Sequence, residues 1–135
     1  MSQTENNRKP GKFDTLIKAL RLTQYTIKIT TNEKIFIPRY SNAVTEDIIK
    51  SAKRVYQYAW MANEINADKS PQEWPERDRL QKAAIRECNG LLPQIQIAKG
   101  IFHLEAKRIR YWGNMIIETR ECLKKWNQSD VKRYK

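Results

Sequence analysis

Residues 109 to 126, which read IRYWGNMIIETRECLKKW, decide the fold predicted for this chain. Apolar or small side chains recur in this stretch at intervals that alternate between three and four residues. Because an α-helix turns once in about 3.6 residues, these positions share one face of a helix. Such a face packs lengthwise against other helices. It consists of Ile109, Trp112, Ile116, Thr119, Leu123 and Trp126.

Three earlier segments carry similar faces, so four helices are expected, over residues 14 to 30, 42 to 67, 70 to 100 and 104 to 128. Helices of this length with short connections favour an all-α, antiparallel up-down-up-down four-helix bundle. The expected faces of the first three helices are Leu16, Leu20, Thr23 and Ile27; Val44, Ile48, Ala52, Val55, Ala59, Ala62 and Asn66; and Leu80, Ala84, Cys88, Leu91, Ile95 and Ala98.

The chain divides into three parts on this interpretation. Residues 13 to 130 form the bundle, residues 1 to 12 a disordered basic lead, and residues 131 to 135 a basic C-terminal tail. Within the bundle, Ile35-Phe36-Ile37 is apolar but has no second strand with which to pair. We therefore expect residues 31 to 40 to form a loop.

Local signals give further expectations for two of the helices. Ser70-Pro71-Gln72-Glu73 opens the third helix with the pattern of a capping box, and Pro93 should bend that helix. The first helix carries Ile17, Tyr25 and Ile29 outside its expected face, so it is apolar on more than one side. This pattern indicates either a position deep in the bundle or a second face that meets another subunit.

The chain of 135 residues is strongly basic, with 26 Lys and Arg against 15 Asp and Glu, a net charge of +11 and a pI near 9.8. This excess is larger than solubility requires and favours a polyanion such as RNA or DNA. An acidic protein or an anionic membrane surface is the alternative partner. No apolar run reaches the roughly 20 residues that span a bilayer, and residues 1 to 12 lack the apolar centre of a signal peptide. We therefore expect a cytoplasmic protein.

The sequence lacks the residue patterns that common enzyme classes need. His103 is the only histidine, and Gly100 stands three residues before it, where carboxylate-bridged metal bundles need Glu. Cys88 and Cys122 are too far apart in sequence for a zinc motif and are expected in the core. No glycine-rich phosphate-binding loop is present. We expect a protein without enzymatic activity, cofactor or metal.

Basic residues are therefore the candidates for a functional surface. As a set they can contact phosphates and release counterions without reading base identity, whereas the ordinary role of each one alone is to solvate a helix face. Trp74, Tyr58 and Tyr134 are candidates for stacking on unpaired bases or for packing. The candidate nucleic-acid-binding residues are Lys50, Lys53, Arg54, Lys107, Arg108, Arg110, Lys124, Lys125, Lys132 and Arg133.

Short segments spread over about residues 13 to 130 carry a resemblance to a known family. They are Pro38, Ala62-Asn63-Glu64-Ile65-Asn66, Arg79-Leu80-Gln81-Lys82, Ala84-Ile85, Leu91-Leu92, Tyr111-Trp112, Lys125-Trp126 and Ser129-Asp130. Together they resemble the accessory variability determinant proteins of diversity-generating retroelements. That family is related to four-helix-bundle proteins encoded in intervening sequences of bacterial 23S ribosomal RNA genes. Gly90 and Pro93 depart from the pattern.

The resemblance implies a small basic bundle that assembles into a homopentameric ring. It also implies binding to a retroelement reverse transcriptase and to template-repeat RNA, with DNA as a second candidate ligand, in support of mutagenic cDNA synthesis. No membrane partner is expected. The alternative is a four-helix-bundle interaction protein of the intervening-sequence type, without a reverse transcriptase partner.

Overall fold

A computed structural model describes residues 12 to 135. This part of the chain is all-helical: it contains four α-helices and no strand. The prediction of four helices is thus confirmed. The predicted disordered lead lies outside the described residues, except for Lys12, which begins the first helix. The helices are α1 (Lys12–Thr30), α2 (Glu46–Glu64), α3 (Trp74–Phe102) and α4 (Ala106–Tyr134).

Each helix packs against two of the others: α1 against α2 and α4, and α3 against α2 and α4. Side-chain hydrogen bonds join these pairs. Between α1 and α4, Trp112 Nε1 donates to Thr26 Oγ1 at 3.1 Å. Between α2 and α3, Gln94 Nε2 donates to Ser51 Oγ at 3.0 Å. A single hydrophobic core lies between the helices and includes residues from all four.

The predicted core faces of the second, third and fourth helices are confirmed with one exception. Every position quoted for α4 is buried, and Trp112 and Leu123 are 0 % exposed. The face predicted for α3 is also buried throughout, as is that of the second helix from Val44 to Ala62. Asn66 is the exception, because α2 ends at Glu64 and leaves Asn66 exposed in the following loop.

The predicted core face of α1 is wrong, since only Thr23 among its residues is buried. Leu20 and Ile27, predicted to lie inside, are 36 % and 37 % exposed. Where α4 presents the bulky Trp112, the facing α1 residue is the smaller Thr26, whose hydroxyl accepts from the indole N–H. Buried threonines are tolerated because carbonyl groups accept their hydroxyl protons, as Ala52 does from Thr23 at 2.9 Å. The buried α1 residues are Thr15, Ala19, Leu22, Thr23, Thr26, Ile29 and Thr30.

The segment between α1 and α2 forms a loop, as predicted, and packs on one end of the bundle. Phe36 anchors the loop and is 2 % exposed. The centroid of its ring lies 4.4 Å from that of Phe102 and 6.0 Å from that of Trp112. The chain then makes a 3₁₀ turn over Pro38–Tyr40 and a π-helical turn over Ser41–Thr45 before α2 begins. Aromatic packing therefore closes this end of the core.

The capping box predicted at the start of α3 does not form. Ser70 makes no side-chain capping hydrogen bond. Its carbonyl instead accepts the Glu73 amide proton at 2.9 Å, which closes a 3₁₀ turn over Pro71–Glu73. α3 begins at Trp74, and Pro75 lies in its first turn, where proline removes no helical hydrogen bond. The Glu73 amide is thus satisfied by the Ser70 carbonyl, and not by the Ser70 hydroxyl as predicted.

The far ends of α3 and α4 both extend beyond their predicted limits. α3 is continuous through Pro93 and past Gly100 to Phe102. His103 then adopts the left-handed conformation, with φ of 55°, and its amide donates to the Lys99 carbonyl, a common way to end a helix. α4 continues to Tyr134, so most of the predicted C-terminal tail is its last turn.

Leu91, which is 0 % exposed on α3, offers a direct test of the core. Leu91→Ala should lower the free energy of unfolding by about 2–5 kcal/mol, because it removes apolar contacts and leaves a cavity. Urea denaturation measures the change. Leu92→Ala, at the half-buried neighbouring position, is the matched control and should cost less. A change below about 0.5 kcal/mol at Leu91 would show that another face of α3 meets the core.

Candidate nucleic-acid interface

The predicted basic residues fall into two environments. Two of them form ion pairs: Arg133 lies 3.0 Å from Asp68, and Lys124 lies 3.8 Å from Glu121. A third, Arg108, is half-buried. The others have exposed side chains and form no ion pair within the described part of the chain. These unpaired cations are Lys50, Lys53, Arg54, Lys107, Arg110, Lys125 and Lys132.

Four of the unpaired cations lie on the outward side of α4, opposite its core face. Their spacings of 3, 15 and 7 residues are close to whole numbers of helical turns, so they share one face, with about 22 Å of helix between Arg110 and Lys125. Glu118 and Glu121 lie on the same side, but Glu118 pairs with Lys18 at 3.7 Å and Glu121 with Arg120 at 3.1 Å. The positive charge is therefore not neutralised by these neighbours. We call Lys107, Arg110, Lys125 and Lys132 the α4 basic stripe.

The other three unpaired cations, Lys50, Lys53 and Arg54, lie on the outward side of α2. α2 and α4 each pack against α1 and α3, so they occupy diagonal corners of the bundle. The predicted set of basic residues therefore forms two separate surfaces. The sequence could not show this separation, because it depends on which helices are neighbours.

A cavity of about 440 Å³ lies between α2 and α3, and we call it the α2–α3 cavity. Gln94 lines it, and the Gln94 Oε1 atom is buried without a hydrogen-bond partner in the described structure. Because this oxygen is closed off from solvent, a ligand in the cavity does not contact it. Sequence reasoning missed Gln94, which lies on α3 just beside the core face. The cavity is also lined by Asp47, Ile48, Lys50, Ser51, Arg54 and Ile97.

A second cavity, of about 320 Å³, opens beside the start of α4 and is lined by Tyr25, Glu105, Lys107, Arg108 and Tyr111. Burial raises the pKa of the Tyr25 phenol, while the charge of Arg108 and its hydrogen bond to Tyr25 partly offset this. Tyr111 is 57 % exposed, and its ring lies 5.2 Å from that of Tyr25. An exposed ring beside cations can stack on an unpaired base. Sequence reasoning did not assign Tyr111 this role, although it adjoins the basic run.

The aromatic residues named from the sequence lie elsewhere. Trp74 is 9 % exposed and packs against Tyr134, with ring centroids 5.4 Å apart, so packing is the role that the structure shows for it. The Tyr134 hydroxyl donates to Asp68 Oδ1 at 3.0 Å. Tyr58 is half-buried. The exposed Tyr111 is therefore better placed for stacking than the buried Trp74.

A buried polar network joins α2, α3 and α4 near the start of α1. Arg77 is 8 % exposed, and its guanidinium donates to Asp130 Oδ2 at 2.8 Å and to the Ile65 carbonyl at 2.7 Å. Gln81 Nε2 donates to the same Asp130 oxygen at 2.7 Å, and Asn127 Nδ2 donates to Gln81 Oε1 at 2.7 Å. Because each charge is paired and hydrogen-bonded, the network holds these helices in one register.

Three of the segments that carry the family resemblance meet in this network: residues 62–66, 79–82 and 129–130. Their side chains and carbonyls surround Arg77, which gives these segments a structural role. The sequence contains a signal for it, since Arg77 precedes Leu80 by three residues and Asp130 follows Trp126 by four. Arg77 and Asp130 therefore place charged side chains on the buried faces of their helices. Buried polar groups need hydrogen-bond partners, so the two are expected to be paired.

The cysteines are buried, as expected, and both are free thiols. Burial raises the pKa of the Cys88 thiol to about 12, so that thiol stays protonated at neutral pH. Across residues 12 to 135, no three His, Cys, Asp or Glu side chains are grouped to hold a metal ion. None of the four helices combines the length and the hydropathy required to cross a membrane.

Comparison with known proteins gives no match: no protein-family model, no curated protein and no solved structure is detectably similar to this chain. The positions, charges and contacts described above therefore support the function proposed below, together with the short segments that carry the family resemblance.

Proposed function

We propose that this chain is a non-enzymatic, cytoplasmic accessory protein of a diversity-generating retroelement. It binds the reverse transcriptase and the template-repeat RNA and so supports mutagenic cDNA synthesis. The observation that carries the proposal is the set of exposed cations on α2 and α4 that have no ion pair within the described chain. Such cations bind phosphates because binding releases counterions from the nucleic acid. The resemblance over about residues 13 to 130 supports the polymerase as the second partner.

The bundle is proposed to have the antiparallel up-down-up-down arrangement. Two hydrogen bonds between α1 and α4 support it. Near the start of α1, Thr15 Oγ1 donates to the carbonyl of Cys122 in the second half of α4, at 3.4 Å. Near the end of α1, Thr26 accepts from Trp112 in the first half of α4, at 3.1 Å. Residue numbers thus rise along one helix as they fall along the other.

Exposed apolar side chains along α1 and α2 support assembly into a homopentamer. Leu20 and Ile27 flank Thr23, which bonds to α2, so they lie on the edge that α1 shares with α2. On α2, the ring of Trp60 lies 6.1 Å from that of Tyr56. Monomers rarely expose large apolar patches. We call Phe13, Ile17, Leu20, Ile27, Trp60 and Met61, which are 36 % to 72 % exposed, the α1–α2 apolar stripe.

Light scattering at micromolar concentration should give a mass of about 80 kDa, five times the chain mass of 16.0 kDa. Leu20→Lys combined with Trp60→Lys should shift the mass toward 16.0 kDa, because buried lysines oppose the contact. Gln96→Lys combined with Gln128→Lys places the same charges on exposed positions of α3 and α4 and should leave the mass unchanged. A wild-type mass of 16.0 kDa would rule out the pentamer.

A pull-down of the tagged chain from its native host, with identification of both protein and RNA, tests the proposed function. We expect the reverse transcriptase and template-repeat RNA to be recovered together. RNA recovered without the polymerase would favour the intervening-sequence type of interaction protein instead. Recovery of neither would contradict the proposal.

A further inference from the structure

The α2–α3 cavity brings together the groups that a single nucleotide requires. Lys50 and Arg54 supply positive charge for a phosphate. Asp47 supplies a carboxylate that forms no ion pair within the part of the chain that the structure describes. Ile97, 57 % exposed, offers apolar surface to the face of a base. The volume of about 440 Å³ lies within the usual range for small ligands, about 300–1,000 Å³.

We propose that this cavity binds one unpaired guanine nucleotide of the RNA. Its phosphate contacts Lys50 and Arg54, and the Watson–Crick edge of its base donates to Asp47. The inference rests on the proposed RNA-binding function and adds recognition of one base to it. The remaining contacts follow the phosphates and carry no sequence information.

Guanine is the base whose donors match the acceptors of the cavity. Its N1–H and its N2 amino group point in the same direction and fit the two oxygens of one carboxylate. Adenine and cytosine place a ring acceptor beside the amino group, which the Asp47 carboxylate repels. Uracil offers one N–H between two carbonyl oxygens.

Two labelled RNAs of about ten nucleotides test the inference by fluorescence anisotropy: an oligouridine, and the same RNA with one central guanosine. The wild type should bind the guanosine RNA about 10-fold more tightly. Asp47→Asn should abolish this preference while the affinity for oligouridine stays within about 3-fold, because the phosphate contacts remain. Glu46→Gln is the matched control. It makes the same change of charge at an exposed neighbouring position outside the cavity, and it should keep the preference.

Equal wild-type affinity for the two RNAs would overturn the guanine site and leave the proposed RNA-binding function intact. No binding of either RNA would overturn both. A preference that survives in Asp47→Asn would also overturn the site. Guanosine monophosphate as competitor separates a free nucleotide from RNA: we expect it to act only at concentrations at least about 100-fold above the RNA. Competition as strong as that of the guanosine RNA would assign the cavity to a free nucleotide and overturn its role in RNA binding.

Discussion

Replacement of Lys107, Arg110 and Lys125 together by Glu should weaken RNA binding by on the order of 100-fold at about 0.1 M salt. For single-stranded RNA, each phosphate that the protein neutralises adds about 0.7 to the steepness of the slope when the logarithm of the affinity is plotted against the logarithm of the salt concentration. Three fewer neutralised phosphates should therefore reduce that steepness by about 2. All three side chains are exposed, so the bundle should stay folded. Arg108 is left in place because its hydrogen bond to Tyr25 makes it part of the packing.

Filter binding across a salt series, with wild type and variant side by side, measures both quantities. The control replaces Lys28, Lys34 and Lys99 by Glu, which lowers the net charge equally, from +11 to +5 (11 − 6), at exposed positions outside both basic surfaces. It should change affinity by less than about 3-fold, because charges that contact no phosphate act on the RNA only through a field that salt screens. Equal losses in the two variants would show that net charge, and not the α4 basic stripe, governs binding. The stripe variant should also impair cDNA synthesis by the polymerase.

Asp130→Ala should lower the free energy of unfolding by about 3–5 kcal/mol, because it leaves the buried Arg77 guanidinium without its charge partner. Arg77 and Asp130 are 8 % and 7 % exposed, and Gln81 loses a hydrogen bond as well. Replacing both charges at once, as Arg77→Met with Asp130→Leu, should recover more than half of the loss, since no buried charge remains. Urea denaturation at one fixed protein concentration measures each value.

The control for this prediction is Asp68→Ala. Asp68 also accepts two bonds, from Arg133 and Tyr134, each at 3.0 Å, but its side chain is 53 % exposed. Exposed ion pairs contribute little to stability, so the free energy of unfolding should change by less than about 1 kcal/mol. If Asp130→Ala and Asp68→Ala cost the same, the buried network does not hold the helices together.

The sequence predicts the core faces of α2, α3 and α4 well, but it predicts only part of the core face of α1. In α2, α3 and α4, large or aliphatic residues coincide with the inward face, so periodicity identifies the core. In α1, Leu20 and Ile27 recur at the same helical spacing but on an exposed edge. Thr15 and Thr26 are 0 % exposed, because Thr15 packs against the Cys122 backbone and Thr26 fills the space beside Trp112. Periodicity ranks side chains by hydropathy, whereas packing selects them by volume.

The candidate site is less predictable than the fold, because it depends on partners distant in sequence. Lys124 and Lys125 are neighbours in the chain, yet Lys124 lies 3.8 Å from Glu121 while Lys125 has no ion pair within the described residues. Arg77 and Asp130 are 53 residues apart, and no local pattern joins them. A sequence identifies which residues are cations; the fold determines which of them remain unpaired.

The claim that unpaired cations of this bundle bind RNA phosphates is tested by the dependence of wild-type RNA affinity on salt. Four cations of the α4 basic stripe, at about 0.7 each, predict a slope of about −3 or steeper for single-stranded RNA. Between about 50 and 200 mM salt the affinity should therefore fall by about 60-fold or more. A slope near zero, or no detectable binding at about 50 mM salt, would contradict the claim.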